Sequence, residues 1–457
     1  MKKLMKPERI NLIKPTEQSN VTVLIVCFAI AMFLCIVQIS GNRALIAACL
    51  AAFLVFQLWS CCRNDALYVL LFFLPWSPLL RLYKGSISAF TLAMLLTCLF
   101  YLKRNSFRLE LYQILLTIFI TIVTLFAKCI QSNPIANNYL FFLAMIFLFP
   151  CVVNGVCGKV SFEKLTLFFA CGIIFAALSA RRIAAYPNIS QFIKVDSYLT
   201  ITRLSGYYWD PNFYSAHITA CLAGIQILMS RCKQRRSLLV WAVLFIVLVY
   251  CGLLSASKSF VLVFACLCIM WLPIVLENGN INGKFAYILG FLCAGVVFLS
   301  SSSVQDLMRV LETRFSYASN MSQLTTGRTD LWLKYLREFA DNGLLTLFGE
   351  GYTSVTLDSV ASHNTVIQVV YQFGVVGFPL LCVWMGFVLK RASNGMLYHC
   401  RLKNVLLMCT GVVLPWMALD ILFFDEFFLL PIYAMAGIAY SKYSEQQCYT
   451  RVVNKMA

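Results

Sequence analysis

The chain consists mainly of apolar stretches, each close to the length of about 20 residues that a helix needs to cross a bilayer. These stretches lie at 21–40, 44–60, 66–80, 86–102, 109–127, 138–153, 165–183, 213–230, 238–254, 259–276, 284–302, 364–389, 404–421 and 427–441. A helix satisfies its own backbone hydrogen bonds in lipid, so each stretch predicts a helix. The pattern predicts an all-α polytopic membrane protein with about 12–14 transmembrane helices. The sequence has no evident internal repeat or low-complexity linker, which favours a single membrane domain over residues 1–457.

Composition excludes the alternative of several soluble domains. Hydrophobic residues make up 61% of the chain and charged residues 12%, whereas ordinary soluble domains are about 45–50% apolar and about 25% charged. The 20 cysteines lie mostly within apolar stretches, which indicates small apolar helix residues rather than a disulfide framework. The formal net charge of +18 indicates basic loops that orient a membrane protein, and nucleic acid is not an expected partner.

The Lys and Arg residues of the short connections predict the orientation of the chain. Most of them fall on one side of the membrane when the N-terminus is placed in the cytoplasm and the stretches alternate in direction. This orientation places both termini in the cytoplasm and two long connections, 184–212 and 303–363, on the extracytoplasmic side. Connections of this length are uncommon in compact proteins unless they have a function. The stretch 66–80 contains Pro75 and Pro78 and is predicted to be kinked or re-entrant.

An amphipathic helix is predicted within the second long connection. Residues 328–341 place apolar side chains at helical spacing, namely Leu331, Trp332, Tyr335, Leu336 and Phe339. Charged residues fall on the other faces, and Gly343 follows as a candidate terminator. Such a helix lies either on the outer membrane surface or on the helix bundle.

Four basic or titratable residues from separate parts of the chain share the predicted outer side. They are Arg203, Lys258, Arg328 and His363. Taken singly, an Arg near a membrane boundary usually snorkels to the lipid headgroups, and a His at a helix start usually serves as a cap or boundary residue. Taken together, the cations form a candidate anion site, because guanidinium groups match the geometry of phosphate. Imidazole takes up a proton readily near neutral pH, so His363 is a candidate base acting on a phosphate-bearing lipid substrate.

Other titratable residues have a structural interpretation. His217 lies midway along a stretch and is interpreted as a packed polar residue. Asp420, Asp425 and Glu426 lie near the outer end of the last helical hairpin, where they either contact acceptor sugars or mark the membrane edge, and the edge is favoured. The middle parts of the stretches carry almost no charge, which favours chemistry at the outer face over passage through the bundle.

Four motifs occur in an order that resembles a known family. His363 and Asn364 precede Gly374 and Gly377 with the spacing H-N-x9-G-x-x-G. Upstream lie RLSGYYWDPNFYSA, LLSASKSFVLVF and GRTDLW, the last followed by LFGEGY. Together the motifs cover residues 203–380 and resemble those of the bacterial O-antigen ligase and polysaccharide polymerase superfamily. By this resemblance Asn364, Gly374 and Gly377 support the site.

The resemblance implies a membrane-embedded, inverting glycosyltransferase that needs neither a metal nor a cofactor. Its donor is a glycan on undecaprenyl diphosphate at the outer face of the bacterial cytoplasmic membrane, and its acceptor is a sugar hydroxyl. By resemblance His363 is the catalytic base, and Arg203 and Arg328 bind the diphosphate. Where the family commonly has Arg, this chain has Lys258, which supplies charge without the bidentate fork. Asp210 either positions Arg203 or caps the following helix, and the cap is favoured.

Several functions stay open. A polymerase of O-antigen, capsule or another polysaccharide is favoured, because members of the family are largely specialised to varied glycans. A ligase that transfers the glycan to the lipid A core of lipopolysaccharide shares the donor and the motifs. Another transfer of a lipid-linked glycan, and a lipid-linked glycan transporter or flippase, are the further alternatives. The expected partners are the undecaprenyl-diphosphate-linked glycan, the acceptor glycan, membrane lipids, a chain-length regulator and a flippase. A transferase predicts that Arg203, Arg328 and His363 converge on one outward pocket.

Overall fold

The structure is a computed structural model that describes residues 17–104, 110–156, 160–190, 192, 197–198, 201–232, 234–277, 327–357, 360–392 and 402–440, with isolated positions between 284 and 312. Helices are numbered in chain order within these ranges. They are α1 Glu17–Ser40, α2 Arg43–Cys62, α3 Ala66–Phe73, α4 Ala89–Arg104, α5 Leu111–Ile130, α6 Tyr139–Val156, α7 Phe162–Ile183, α8 Pro187–Ser190, α9 Pro211–Arg231, α10 Arg235–Leu254, α11 Lys258–Glu277, α12 Arg328–Asp341, α13 Gly343–Phe348, α14 Thr365–Ala392, α15 Leu402–Met408 and α16 Glu426–Tyr440. Two short strands, β1 Ser197–Tyr198 and β2 Ile201–Thr202, pair antiparallel.

Seven of the described helices are long and apolar enough to cross a membrane: α1, α2, α5, α7, α9, α10 and α14. Six shorter apolar helices accompany them: α3, α4, α6, α11, α15 and α16. These helices confirm the prediction of an all-α polytopic membrane protein. The predicted stretch 284–302 and the beginning of the second long connection, 303–326, lie mostly outside the described residues.

Helix α9 forms the centre of the bundle. Its apolar window is 94% buried, whereas the corresponding windows of the other long helices are between 33% and 56% buried. Small residues allow the neighbouring helices to approach it. A Cβ at Gly224 would lie 2.0 Å from the hydroxyl of Tyr433 in α16, and a Cβ at Gly411 would lie 2.5 Å from Ala223. Close contact at small residues is a common basis of helix association in membranes.

Helices α3 and α15 each pass into a turn of another helical type, and a proline lies near each change. Helix α3 ends at Phe73 and passes into the 3-10 turn Leu74–Trp76, because Pro75 has no N–H to continue the α-helical pattern. The kink predicted for this stretch is therefore present. Helix α15 passes into the π-helical turn Cys409–Val413 and then into the 3-10 helix Leu414–Ala418, which has proline at its start.

Several connections meet at one end of the bundle, which we call the site end. It comprises the connections α1–α2, α3–α4, α5–α6, α7–α9, α10–α11, α12–α14 and α15–α16. Hydrogen bonds join them across the bundle: Gln38 Nε2 to the Leu79 carbonyl at 2.9 Å, Ala136 N–H to the Tyr352 carbonyl at 3.2 Å, Asn138 Nδ2 to the Phe423 carbonyl at 2.6 Å and Asn188 Nδ2 to the Ile39 carbonyl at 3.0 Å. The fold thus gathers segments that are far apart in sequence.

The amphipathic helix predicted at 328–341 forms with the same bounds as α12. Its apolar side packs on the bundle, with Tyr335 buried and Leu331, Trp332 and Phe339 half-buried. Leu336 does not join this contact, since 52% of its surface is exposed. Helix α12 ends two residues before Gly343, which instead begins α13.

Candidate functional site

Arg203 lies against the turn that joins α10 to α11. The Leu204 N–H donates to the Leu254 carbonyl at 2.9 Å, which pairs the two segments. The Arg203 guanidinium donates through Nε to the Ser255 carbonyl at 3.1 Å and through Nη2 to the Ala256 carbonyl at 3.4 Å. Helix α11 begins at Lys258 directly after this turn. The fold therefore brings the cations Arg203 and Lys258 to the same turn at the site end.

A polar network connects this turn to the start of α9. Asp210 is the N-cap of α9, and its carboxylate accepts a hydrogen bond from the Asn212 N–H at 2.8 Å. Asp210 therefore caps the helix that follows it, which is the role that the sequence favoured. The Asn212 side-chain oxygen accepts hydrogen bonds from Ser257 Oγ at 2.7 Å and Ser259 Oγ at 3.2 Å. These bonds fix the beginning of α9 relative to the beginning of α11. The segment that contains Arg203 and Asp210 is therefore hydrogen-bonded to the α10–α11 turn at both of its ends.

Arg328 is the first residue of α12, and carboxylates from two different connections act on its charge. It follows Gly327, which has a left-handed φ of 80° and so directs the chain into the helix at a conformation that glycine tolerates. Burial lowers the pKa of Arg328, and the carboxylates of Asp210 and Asp420 oppose this effect by raising its pKa. The guanidinium is therefore partly withdrawn from water, and both carboxylates favour its charged form.

His363 and Asp420 form a pair at the entrance to α14. The Asp420 Oδ2 atom accepts the backbone N–H of His363 at 2.7 Å and lies 3.5 Å from the imidazole Nδ1. Its Oδ1 atom accepts a hydrogen bond from the Ser362 hydroxyl. Thr365 Oγ1 also donates to the Leu419 carbonyl at 2.7 Å. The connection before α16 thus holds the His363 turn through both backbone and side-chain contacts.

His363 combines a left-handed backbone with a partly exposed side chain. Its φ of 50° is left-handed, a conformation that is uncommon for residues other than glycine and that neighbouring contacts have to maintain. The side chain is 39% exposed, whereas Asp420 is 13% exposed. Because Asp420 lies on the Nδ1 side of the ring, an Nδ1–H tautomer points its proton at the carboxylate and leaves the Nε2 lone pair as the acceptor.

Helix α12 sets the position of Arg328 relative to His363. The indole Nε1 of Trp332 donates to the Ser362 carbonyl at 3.0 Å. The Tyr335 hydroxyl donates to the Val360 carbonyl at 2.7 Å and accepts the Leu357 N–H at 3.0 Å. Helix α12 therefore packs along the segment that leads into His363, and the amphipathic pattern of its sequence determines which face does so.

Asn364 and the two motif glycines act on the backbone. The Asn364 side chain accepts N–H groups from the first turn of α14, at 3.0 Å from Val366, which is the contact of an N-cap. Gly374 interrupts α14 with a φ of 63°, and a Cβ there would lie 2.4 Å from the Leu347 carbonyl oxygen. A Cβ at Gly377 would lie 2.3 Å from the ring of Phe119. These residues therefore determine how α14 begins, where it breaks and how closely it packs.

The segment before the His363 motif fills the interruption in α14. Its Glu350 and Gly351 N–H groups donate to the Tyr371 and Gln372 carbonyls at 2.9 Å and 2.8 Å. These carbonyls would otherwise lack partners at the break in the helix. Gly349 allows the approach, because a Cβ there would lie 2.4 Å from the backbone of Gln372. Backbone hydrogen bonds thus join the motif LFGEGY to the motif that begins at His363.

The acidic residues of the last connection and of the start of α16 have specific partners within the bundle. Asp420 holds the His363 turn, and Glu426 is 2% exposed and lies 3.1 Å from the Nε2 atom of His217. Thr91 Oγ1 donates to both oxygens of Asp425, at 3.2 Å and 3.0 Å. His217 is buried and hydrogen-bonded, as a packed polar residue should be. The sequence feature that could have indicated these contacts is the presence of carboxylates at the ends of strongly apolar helices.

The site end therefore combines Arg203 and Lys258 at one turn with Arg328, the Asp420–His363 pair and the Asp210 cap. Among the described residues, no group of three or more His, Cys, Asp or Glu side chains is arranged to hold a metal ion. Searches of protein-family models, of curated proteins and of solved structures found no match to this chain.

Proposed function

We propose that the protein is a membrane-embedded glycosyltransferase that polymerises a polysaccharide such as O-antigen or capsule. One observation carries the proposal. The carboxylates of Asp210, which belongs to the segment of Arg203, and of Asp420, which holds His363, both raise the pKa of Arg328. Cations suited to a diphosphate and an imidazole suited to a hydroxyl proton therefore belong to one group of connections. The motif resemblance to the ligase and polymerase superfamily supports the same chemistry.

In the proposed reaction, Arg203, Arg328 and Lys258 bind the diphosphate of an undecaprenyl-diphosphate-linked glycan. The acceptor sugar hydroxyl gives its proton to Nε2 of His363, and its oxygen forms a bond to the anomeric carbon. The bond from that carbon to the diphosphate oxygen breaks on the opposite side, so the configuration inverts. Undecaprenyl diphosphate leaves with the bonding electrons, and the cations stabilise its charge.

The carboxylates of the site also have a role in this mechanism. Asp420 stabilises the imidazolium that forms when His363 takes the proton. The charges of Asp210 and Asp420 favour the charged form of Arg328 before the donor binds. Charged groups that are already oriented stabilise a developing charge more effectively than groups that have to reorganise. The mechanism uses only side chains of this chain and requires no metal or cofactor.

The proposed location is the bacterial cytoplasmic membrane, with both termini in the cytoplasm and the site end on the extracytoplasmic side. The distribution of Lys and Arg in the short connections supports this orientation. The proposed partners are the lipid-linked donor, the acceptor glycan and the surrounding lipids, together with a flippase that supplies the donor and a chain-length regulator.

Two alternatives remain as proposals. An O-antigen ligase would use the same donor site and differ only in its acceptor, the lipid A core. A transporter or flippase of lipid-linked glycans would use ionisable groups inside the bundle, and the buried contact between His217 and Glu426 is the observation that favours it. The experiment below separates these functions.

The glycans of a deletion strain test the proposal. Chain length is resolved on a gel, and lipid-linked material is analysed separately, in cells complemented with wild-type protein or with His363→Ala. A polymerase predicts single repeat units in place of long chains in the deletion strain and with His363→Ala. Full-length chains that remain on undecaprenyl diphosphate would indicate a ligase. Repeat units that accumulate on the cytoplasmic side would indicate a flippase, and an unchanged profile would contradict all three.

A further inference from the structure

A buried polar cluster lies behind the candidate site. It consists of Tyr208, His217 and Glu426, of which His217 has no exposed surface and Glu426 is 2% exposed. One carboxylate oxygen of Glu426 accepts a hydrogen bond from the Tyr208 hydroxyl and lies 3.1 Å from His217 Nε2. The Tyr208 ring stacks on Phe213 at 5.5 Å and meets the His217 ring edge-on at 5.2 Å. A buried carboxylate needs such donors to offset its loss of hydration.

This cluster joins the two parts of the candidate site. Tyr208 belongs to the segment that begins with Arg203 and ends with Asp210. Glu426 follows the connection that contains Asp420, and Asp420 holds His363. The contact between Tyr208 and Glu426 is therefore a direct side-chain connection between the diphosphate-binding part and the base-bearing part.

We propose that Glu426 is a positioning residue that, through Tyr208, fixes the Arg203–Asp210 segment relative to the Asp420–His363 pair. The inference rests on the proposed function and adds a residue that touches no substrate. The Tyr208 hydroxyl has one proton, and the carboxylate is a stronger acceptor for it than the Leu74 carbonyl, which lies 3.0 Å away. The Tyr208 hydroxyl is therefore held by Glu426 of α16 as well as by the nearby Leu74 carbonyl.

The neighbouring acid Asp425 does not perform this role. Its oxygens accept hydrogen bonds from Thr91 of α4, so it joins the segment before α16 to a different helix.

His217 donates to Glu426 in the Nε2–H tautomer, and its Nδ1 atom has no hydrogen-bond partner among the described residues. This tautomer leaves only an acceptor unpaired, which costs less than an unpaired N–H donor. Loss of the Glu426 side chain would leave the Nε2–H donor of His217 unpaired. The Tyr208 hydroxyl would keep only acceptors of its own neighbourhood, such as the Leu74 carbonyl.

The test compares Glu426→Gln, Glu426→Ala and Tyr208→Phe in purified full-length protein with an undecaprenyl-diphosphate-linked repeat unit as donor. Gln keeps an oxygen that accepts from Tyr208, so its kcat should stay within about threefold of wild type. Ala and Phe remove the connection, and we expect kcat to fall by about 10- to 100-fold while the donor KM changes much less. Phe keeps the stacked ring, so it tests the hydroxyl even if Ala does not fold.

The matched control is Tyr433→Phe. Tyr433 is another buried tyrosine whose hydroxyl bonds to a neighbouring helix, at 3.0 Å from Thr166 Oγ1, and it lies in α16 like Glu426. Its loss should leave kcat unchanged. Normal kcat in Tyr208→Phe and Glu426→Ala would overturn the proposal, and so would an equal loss of kcat in Tyr433→Phe or Glu426→Gln.

A second measurement does not depend on catalysis. Trp209 follows Tyr208, is 46% exposed and has the Lys84 ammonium 3.9 Å from its ring centroid. In protein labelled with 5-fluorotryptophan, its ¹⁹F resonance can be assigned with Trp209→Phe. We expect Tyr208→Phe and Glu426→Ala to shift or broaden this resonance, and Glu426→Gln and Tyr433→Phe to leave it in place. If wild-type protein transfers no glycan, the proposed function fails, and an unmoved resonance in Tyr208→Phe and Glu426→Ala would overturn the positioning role separately.

Discussion

The carboxylate of Asp420 accepts a hydrogen bond from the backbone N–H of His363 at 2.7 Å and lies 3.5 Å from the Nδ1 atom of the same residue. One side chain therefore holds both the turn and the imidazole of the candidate base. We expect Asp420→Asn, which keeps an acceptor but loses the charge, to lower the transfer rate by about 10- to 100-fold. Asp420→Ala should be at least as slow. Both rates are to be measured with purified protein and lipid-linked donor, and a full rate in Asp420→Asn would show that the carboxylate charge is not used.

His363→Ala should abolish polymer formation although the protein still inserts into the membrane. The proposed mechanism has no other base at this position, and positioned acid–base groups typically contribute about 10²- to 10⁴-fold to rate. The measurement is the polymer profile of complemented cells, normalised to the amount of protein in the membrane. Val366→Ala, which changes a 45% exposed residue in the first turn of the same helix, is the matched control. Long chains of normal amount in His363→Ala would contradict the catalytic role.

Arg328→Lys should be strongly impaired even though it keeps the positive charge. A lysine cannot form the two parallel hydrogen bonds that guanidinium makes with phosphate, and the loss of one oriented donor typically costs about 10²-fold in rate or more. Arg337→Lys on the exposed side of the same helix should be neutral. Initial rates at saturating donor distinguish the two variants. Equal activity of both would mean that a point charge is sufficient at Arg328, as is proposed for Lys258.

Gly374→Ala should destabilise the protein, whereas Gly386→Ala in the same helix should not. The alanine introduced by the first substitution would have to adopt a left-handed conformation, and its Cβ would lie 2.4 Å from the Leu347 carbonyl oxygen. Such strain costs about 1–3 kcal/mol. Gly386 has no atom within 4 Å of an added Cβ. The thermal unfolding midpoint in detergent should fall for the first variant only, and equal midpoints would show that the break in α14 can relax at no cost.

The helices were predictable because the bilayer imposes one length and one secondary structure on apolar segments. Predicted and observed bounds agree closely for α1, α9 and α14, and the kink near Pro75 followed from its missing N–H. The face of α12 that packs on the bundle was also readable from apolar periodicity. Leu336 lies outside the contact with the bundle, since spacing alone does not define how wide the contact is.

The contacts of the candidate site were less predictable. Arg203, Arg328 and His363 could be selected by residue type, but Asp420 and Glu426 were interpreted as markers of the membrane edge. Their partners, His363 and Tyr208, are distant in sequence, and pairing across a bundle depends on how the helices are arranged. Apolar periodicity identifies which segments are helices and contains little information about which of their ends meet. A carboxylate beside a strongly apolar helix is the sequence feature from which a specific hydrogen-bond partner should have been predicted.

The break at Gly374 divides α14 into a first part that begins after His363 and a longer second part. The first part is held by Asp420 and by the backbone of the Glu350–Gly351 segment. Membrane helices adjust their tilt when the thickness of the bilayer changes. A change of tilt in the second part can therefore be absorbed at the break, and we expect the geometry of the histidine to be insensitive to the acyl-chain length of the surrounding lipid.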